Sequence, residues 1–287
     1  MRKYKYLLVI IYALFIIIML KNDELDNNDK LIQENITHSV ISNNNVIAHA
    51  GGGIDDITYT NSLEAIDNHY NSGTRIFEID FMFTEDNRIV AVHYWQDLDE
   101  NYSFYERPSY PEFSISKIKN LYTTLCLKQL LELMESDYPE MIIVIDTKEV
   151  DIENFYMSFI NQVNSYNNNL LVRFVPQIYD FEMLETVESL SENHFLYYIL
   201  TLYKIDVLPS EVLNYLSEET DIKLLTMTSF RYSQFDQEII DELNNLDIKI
   251  YLHTLNNLEQ INNYLANGIK GIYSDYVTEN IINNIDN

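Results

Sequence analysis

A single cysteine, Cys126, stands in the 287 residues. That excludes an internal disulfide and any cysteine-rich metal centre. Its position at a helix start makes it a small packing residue. Positive charge is also scarce: 18 Lys and Arg face 45 Asp and Glu, a formal charge of −27. The chain therefore has no basic footprint for nucleic acid, and an anionic membrane surface would repel it. An anionic substrate would need the local field reversed, and a bound divalent cation is the simplest agent. Glycine is sparse, and three of the 6 glycines stand together as Gly51, Gly52 and Gly53. There is no internal repeat, and low complexity is limited to short Asn runs. The 47% hydrophobic share suffices for one large core or two small ones.

Long apolar runs are absent except for one. Tyr6 to Leu20 follows Arg2, Lys3 and Lys5, the charged head and apolar middle of a signal sequence. At ~1.5 Å per residue it is short for a ~30 Å hydrocarbon core. No small-x-small cleavage site follows; Lys21, Asp23 and Glu24 come at once. Residues 1–21 read as an uncleaved signal anchor in preference to a cleaved signal peptide. The basic end would stay in the cytoplasm and the rest of the chain outside, as a single-pass protein of the cell membrane. Cleavage would make it secreted. Residues 22–44 are polar and read as a linker, with room for a short helix near Leu31 to Thr37.

From residue 45 to 287 apolar strands alternate with amphipathic helical patterns such as Leu63/Ile66/Tyr70 and Leu258/Ile261/Leu265. Strands are expected at 46–50, 76–81, 88–93, 141–147, 171–178, 195–201, 222–228, 248–253 and 271–274. The link between the second and third is too short for a parallel crossover, so 88–93 must return antiparallel as a hairpin. The remaining eight strands, each with its helix, predict a (β/α)8 barrel; an open doubly wound sheet is the alternative. Residues 94–125 form an insertion after the second strand, aromatic and without a clear helix.

The stretch Phe77 to Trp95 organises the rest. Glu78 and Asp80 sit at i and i+2, so both face one side of a strand about 7 Å apart. Phe77, Ile79 and Phe81 take the buried side. The turn Glu85-Asp86-Asn87 reverses the chain, and the return strand ends at His93. A barrel gathers its strand C-termini on one face, where active sites form. Those ends carry His49, Glu78, Asp80, Asp146, Lys148, Gln177, Thr226, His253 and Ser274-Asp275. Glu78, Asp80 and Asp146 together suit a hard cation, Mg2+ or Ca2+, better than zinc, which has no cysteine ligand here. His49 and His93 would flank it, one to take a proton and one to give it. Lys148 suits an anionic substrate group. His69 reads as helix surface, and His38 and His194 as loop or strand-start residues.

These residues carry a family resemblance. His49-Ala50-Gly51, Asn61-Ser62, Glu78-Ile79-Asp80, Thr84-Glu85-Asp86, His93, Asp146-Thr147-Lys148, Thr254-Leu255-Asn256 and Gly271-Ile272-Tyr273-Ser274-Asp275 resemble, in order, the motifs of the glycerophosphodiester phosphodiesterases. These belong to the wider phospholipase C-like barrels. The resemblance spans about 46 to 280. It implies a TIM barrel, a divalent cation at Glu78, Asp80 and Asp146, and catalytic roles for His49 and His93. Substrate contacts are expected from Lys148, Asn61, Gln177, Trp95 and His253. The family's His-Arg-Gly is His-Ala-Gly here, which removes a phosphate-binding arginine at Ala50. Its Glu-Asn-Thr is Thr60-Asn61-Ser62, its His-Asp is His93-Tyr94, and its late Trp-Thr is His253-Thr254. The expected function is metal-dependent hydrolysis of a glycerophosphodiester or a related lipid or cell-wall phosphodiester. Three alternatives stand beside it: a lyase forming a cyclic phosphate, a non-catalytic binder of a phosphate ligand, and a metal-dependent sugar enzyme on the same barrel.

Overall fold

The computed structural model describes residues 28–98, 100, 102, 106–191, 195–202, 207–218 and 222–284. The expected signal anchor and His194 lie outside these residues. Among the described residues no helix is long and apolar enough to cross a membrane. The chain opens with α1, residues 28–43. It continues through β1 (Val46–Ala48), α2 (Leu63–Asn71), β2 (Ile76–Phe83) and β3 (Ile89–Ala91). The insertion holds α3 (Tyr110–Ile115), β4 (Lys117–Ile118), β5 (Tyr122–Thr123) and β6 (Leu125–Cys126). Then follow α4 (Leu127–Ser136), β7 (Ile142–Thr147), α5 (Ile152–Asn167), β8 (Phe174–Ile178), α6 (Phe181–Ser191), β9 (Tyr198–Thr201) and α7 (Pro209–Glu218). The last are β10 (Ile222–Thr228), α8 (Ser229–Tyr232), α9 (Gln237–Asn245), β11 (Lys249–His253), α10 (Leu258–Ala266), β12 (Gly271–Ser274) and α11 (Glu279–Asn283).

The eight strands β1, β2, β7, β8, β9, β10, β11 and β12 pair in parallel, and β1 closes the ring by pairing with both β12 and β2. Closure settles the choice of fold as a (β/α)8 barrel and excludes the open doubly wound sheet. Alternation along each strand divides its side chains between two apolar layers. Phe77, Ile79 and Phe81 point outward against the helices. Ile76, Ile142, Val144, Val175, Ile199 and Leu224 point inward and fill the lower barrel. Above that layer the inward positions turn polar, and the site lies there.

Two expectations need correction. In the stretch read as a linker, the short helix near Leu31 to Thr37 is part of a longer one, α1, which docks on the barrel. Val40 and Ile41 of this helix are buried in the same cluster as the inward-facing barrel residues, with Ile36 beside them. A single stripe at i, i+4 and i+5 suffices to dock an otherwise polar helix over the lower barrel. The insertion, expected to lack a helix, contains α3, which a capping box at Ser109 and Glu112 starts. With β6 paired antiparallel to β3, it builds a small core of its own around Met82, Val92, Trp95, Phe113 and Tyr122.

If α1 seals the barrel, Ile41→Ala should destabilise the protein by roughly 2–5 kcal/mol. Leu31→Ala, at a residue 53% exposed, should cost under about 0.5 kcal/mol. Chemical denaturation of the two variants checks this; equal losses would mean that the helix rests on the barrel without sealing it.

Candidate active site

β2 and β7 run in register, with Glu78 opposite Val144 and Asp80 opposite Asp146. Inward-facing Glu78, Asp80 and Asp146 therefore meet at the upper rim of the barrel. One carboxylate oxygen from each lies within 4.8 Å of the others, and all three residues are buried. At that separation each pair of charges repels by about 3 kcal/mol at an effective dielectric of ~20. The structure shows how part of this repulsion is offset. The Lys148 ammonium sits 2.7 Å from Asp80 Oδ1 and 2.5 Å from Asp146 Oδ2. Burial disfavours its charge, but Asp80, Asp146 and Glu78 outweigh that and raise its pKa.

The three carboxylates are individually supported. Asn61, in the left-handed region at φ 47°, donates from Nδ2 to Asp80 Oδ2 at 2.8 Å and accepts from the Asp80 backbone N–H at 3.0 Å. Tyr179 donates to Asp146 Oδ1 at 2.7 Å. Glu78 Oε2 accepts the backbone N–H of Ala50 at 2.7 Å. Its other oxygen, Oε1, is buried and accepts no hydrogen bond. Burial, with the charge of Asp80 beside it, pushes Glu78 up to about 8. Burial works against the Asp80 carboxylate too, yet Lys148, His93 and Asn61 hold it below the usual range. A buried all-oxygen trio with one bare oxygen fits a hard divalent cation, which would satisfy that atom and relieve the repulsion.

Two imidazoles flank this trio. His49 follows β1 and donates from Nδ1 to Asp275 Oδ1 at 2.8 Å. Asp275 is held in turn by Asn256 Nδ2 at 2.8 Å. Burial alone would strip the His49 proton, but Asp275, Glu78 and Asp80 prevail and raise it to about 9. His93, just beyond β3, is lowered by burial despite the attraction of Asp80. The Tyr59 ring lies between the two, 4.7 Å from His49 and 4.5 Å from His93, centroid to centroid. All three line a cavity of about 330 Å3 with Glu78, Asp146 and Lys148. A larger groove of about 600 Å3 between α4 and α5 holds neither histidine nor carboxylate, so the smaller cavity is the candidate site.

The same fold occurs in solved structures. An Oleispira antarctica phosphodiesterase in complex with the product sn-glycerol-3-phosphate superposes with a TM-score of 0.64 at 19% identity, over 85% of this chain and 97% of that one. A Parabacteroides distasonis glycerophosphoryl diester phosphodiesterase gives 0.65 at 16% identity, over 85% and 86%. A Thermotoga maritima glycerophosphodiester phosphodiesterase gives 0.61 at 16%, over 84% and 97%. The fold is that of the glycerophosphodiester phosphodiesterases. No family model matches the chain, and a search of curated proteins finds no match in sequence.

Within this fold the expected site residues divide. Glu78, Asp80, Asp146, His49, His93 and Lys148 converge, and Gln177 and His253 line the same cavity. Asn61 does not reach it; fully buried, it serves Asp80. Trp95 is a correction: it is buried in the core of the insertion, edge-on to Phe113. The chain passes the site at His93 and turns away within two residues. His69, expected on the helix surface, is buried beneath the glycine loop and lies 3.3 Å from the Gly53 carbonyl. A Cβ on Gly52 would come within 2.3 Å of its ring. That glycine makes room for a side chain of the protein. Lys148, expected to hold substrate, bonds two of the carboxylates instead. Tyr179 and Tyr59 were not among the expected site residues. Asp275 was expected at the end of the last strand on the site face but without a role; closing eight strands into a ring sets it beside His49 of the first.

If the trio holds a divalent cation, millimolar Mg2+ or Ca2+ should raise the melting temperature. The gain follows RT ln(1 + [L]/Kd), about 2.7 kcal/mol at a hundredfold excess over Kd. Asp80→Asn should abolish most of the rise. An unchanged melting curve in the parent protein would contradict the site.

Proposed function

We propose that this chain is a metal-dependent phosphodiesterase that cleaves a glycerophosphodiester or a related lipid or cell-wall phosphodiester. The observation that carries the reading is the placement of two histidines in one cavity beside a buried carboxylate trio, only one of them bonded to a further carboxylate, Asp275. Burial lowers His93, whereas Asp275, Glu78 and Asp80 raise His49 against the effect of burial. An acid and a base with separated pKa values in one cavity are what general acid–base cleavage requires.

A divalent cation bound by Glu78, Asp80 and Asp146 would supply charge stabilisation for a phosphate oxygen. The rest falls to side chains. Neutral His93 takes a proton from the attacking oxygen, a water or a neighbouring substrate hydroxyl. His49 delivers its Nε2 proton to the departing alkoxide. Asp275 fixes the His49 ring through Nδ1 and stabilises its charged form. Asn61 and Tyr179 orient the carboxylates. Lys148 offsets the charge of Asp80 and Asp146. If a substrate hydroxyl attacks, the product is a cyclic phosphate, so product analysis separates hydrolase from lyase.

His49→Ala and His93→Ala should each reduce turnover of glycerophosphocholine or bis(p-nitrophenyl) phosphate by ~10²–10⁴-fold. Cation binding should persist in both. The rate should rise with pH as His93 deprotonates, below its ordinary value near 6.5. It should fall as His49 loses its proton, below the value of about 9 that Asp275, Glu78 and Asp80 together impose. A cation that offsets Glu78 and Asp80 moves that second limb to lower pH. Asp275→Asn should move it further the same way while the acid limb stays. The His49–Asp275 pair also contributes stability, complete below pH ~6.5 and lost as pH rises through about 9. Absence of turnover in the parent protein, with phosphate still bound, would make the domain a binder.

A further inference from the structure

One buried imidazole beside the site has no part in the chemistry proposed above. His69, on α2, is 1% exposed and does not line the cavity. Its Nε2 faces the Gly53 carbonyl at 3.3 Å, and its Nδ1 is buried without a hydrogen-bond partner. Burial lowers its pKa against the pull of the Gly53 and Asp275 carbonyls, which favours a neutral ring with a single N–H. The carbonyl in reach places that proton on Nε2. The orphaned Nδ1 then costs roughly 1–3 kcal/mol, a cost that an apolar side chain of similar size would avoid. Packing alone therefore does not account for a histidine here.

The turn that His69 grips is the one that carries the acid. Residues 49–51 form a single turn, closed by the Gly52 N–H on the His49 carbonyl at 2.8 Å. Gly51 and Gly52 take φ of 78° and 95°, where a side chain would be strained. From this turn the Ala50 N–H reaches Glu78 at 2.7 Å, and the Ala50 carbonyl accepts the Asn61 N–H at 2.9 Å. The Gly53 N–H donates to the Asp275 carbonyl at 2.5 Å, while the Asp275 carboxylate bonds His49 at 2.8 Å. The acid and its carboxylate are thus tied together twice, through their side chains and through Gly53. Asp275 holds Gly53 by its N–H, and His69 holds it by its carbonyl.

Extending the phosphodiesterase reading, on which this rests, we propose that His69 is a positioning residue for His49. Its Nε2–H fixes Gly53, and through Gly53 the turn that sets His49 against Asp275. It touches neither substrate nor cation. Without that grip the turn shifts relative to Asp275, and a misplacement of about 1 Å in a catalytic group costs up to ~10²-fold in rate.

The test compares His69→Leu and His69→Gln with the parent, as full-length chains in detergent with Mg2+, below their melting temperatures. Leucine removes the N–H, and glutamine keeps a donor at the place of Nε2. For bis(p-nitrophenyl) phosphate, kcat of the leucine variant should fall roughly 10–100-fold, with KM changed by less than about twofold. Glutamine should restore most of kcat. The alkaline limb of the pH–rate profile belongs to His49, which Asp275, Glu78 and Asp80 face. It should move to lower pH in the leucine variant and return in the glutamine variant, while the acid limb of His93 stays. The downfield proton resonance of the His49 Nδ1–H should shift in the leucine variant and be kept in the glutamine variant. A purely structural His69 predicts a lower melting temperature with kcat, alkaline limb and resonance as in the parent. That result, or a glutamine variant as slow as the leucine one, overturns the proposal and leaves the phosphodiesterase reading standing. If the parent cleaves nothing, the phosphodiesterase reading falls, and the His49 resonance alone decides whether His69 positions the pair.

Discussion

Three carboxylates crowded into the buried rim of a barrel are the constraint on which the upper half of this molecule depends. At about 3 kcal/mol of repulsion per pair, Glu78, Asp80 and Asp146 cannot stay together and ionised without positive charge nearby. Lys148 bridges two of them from one side. Protonated His49 and its partner Asp275 stand on the other. Glu78, which the ammonium does not bond, is the member pushed up to about 8. The neighbouring loops and strand ends fall into place around this need. Asn61 is bent into a left-handed conformation to hold Asp80, and the chain at Ala50 curls so that its amide meets Glu78.

The apolar half makes that crowding affordable in structural terms. Below the rim, inward-facing Ile, Val and Leu side chains and the docked stripe of α1 form a continuous core. Strand alternation lets one strand serve both halves. In β2, Ile76 belongs to the floor, Glu78 and Asp80 belong to the site, and Phe77, Ile79 and Phe81 bind the outer helices. A register slip of one residue would bury the carboxylates among the helices and point the phenylalanines at the substrate.

Much of this was legible in the sequence because it rests on period two. Glu78 and Asp80 flanked by Phe77, Ile79 and Phe81 announced a shared face, and Asp146 with Lys148 repeated the device on the strand that proved to be its neighbour. The hairpin to His93 followed from a link too short to cross over. Less was legible where the third dimension decides. Trp95 lies beside His93 in sequence, yet the chain turns away into a second core. His69 has a surface helix pattern, yet the glycine loop folds over it. Residues 28–43 are polar in composition, so a short helix near Leu31 to Thr37 was legible but its docking through Ile36, Val40 and Ile41 was not. Thr201 looks like an ordinary β-branched strand filler, and only closure of the barrel reveals that it lines the cavity. Lys148 lines the cavity, but its pairing with Asp80 and Asp146 was not legible, since a sequence does not show which charges meet.

If the carboxylate trio is a cation site, Lys148 stands in for the cation when no metal is bound. The decisive measurement is anomalous diffraction from a crystal grown with Mn2+. One anomalous peak is expected within coordination distance of Glu78, Asp80 and Asp146, with the Lys148 ammonium displaced from Asp80 toward the cavity. No peak there, with Lys148 still bonded to Asp80 and Asp146, would contradict it.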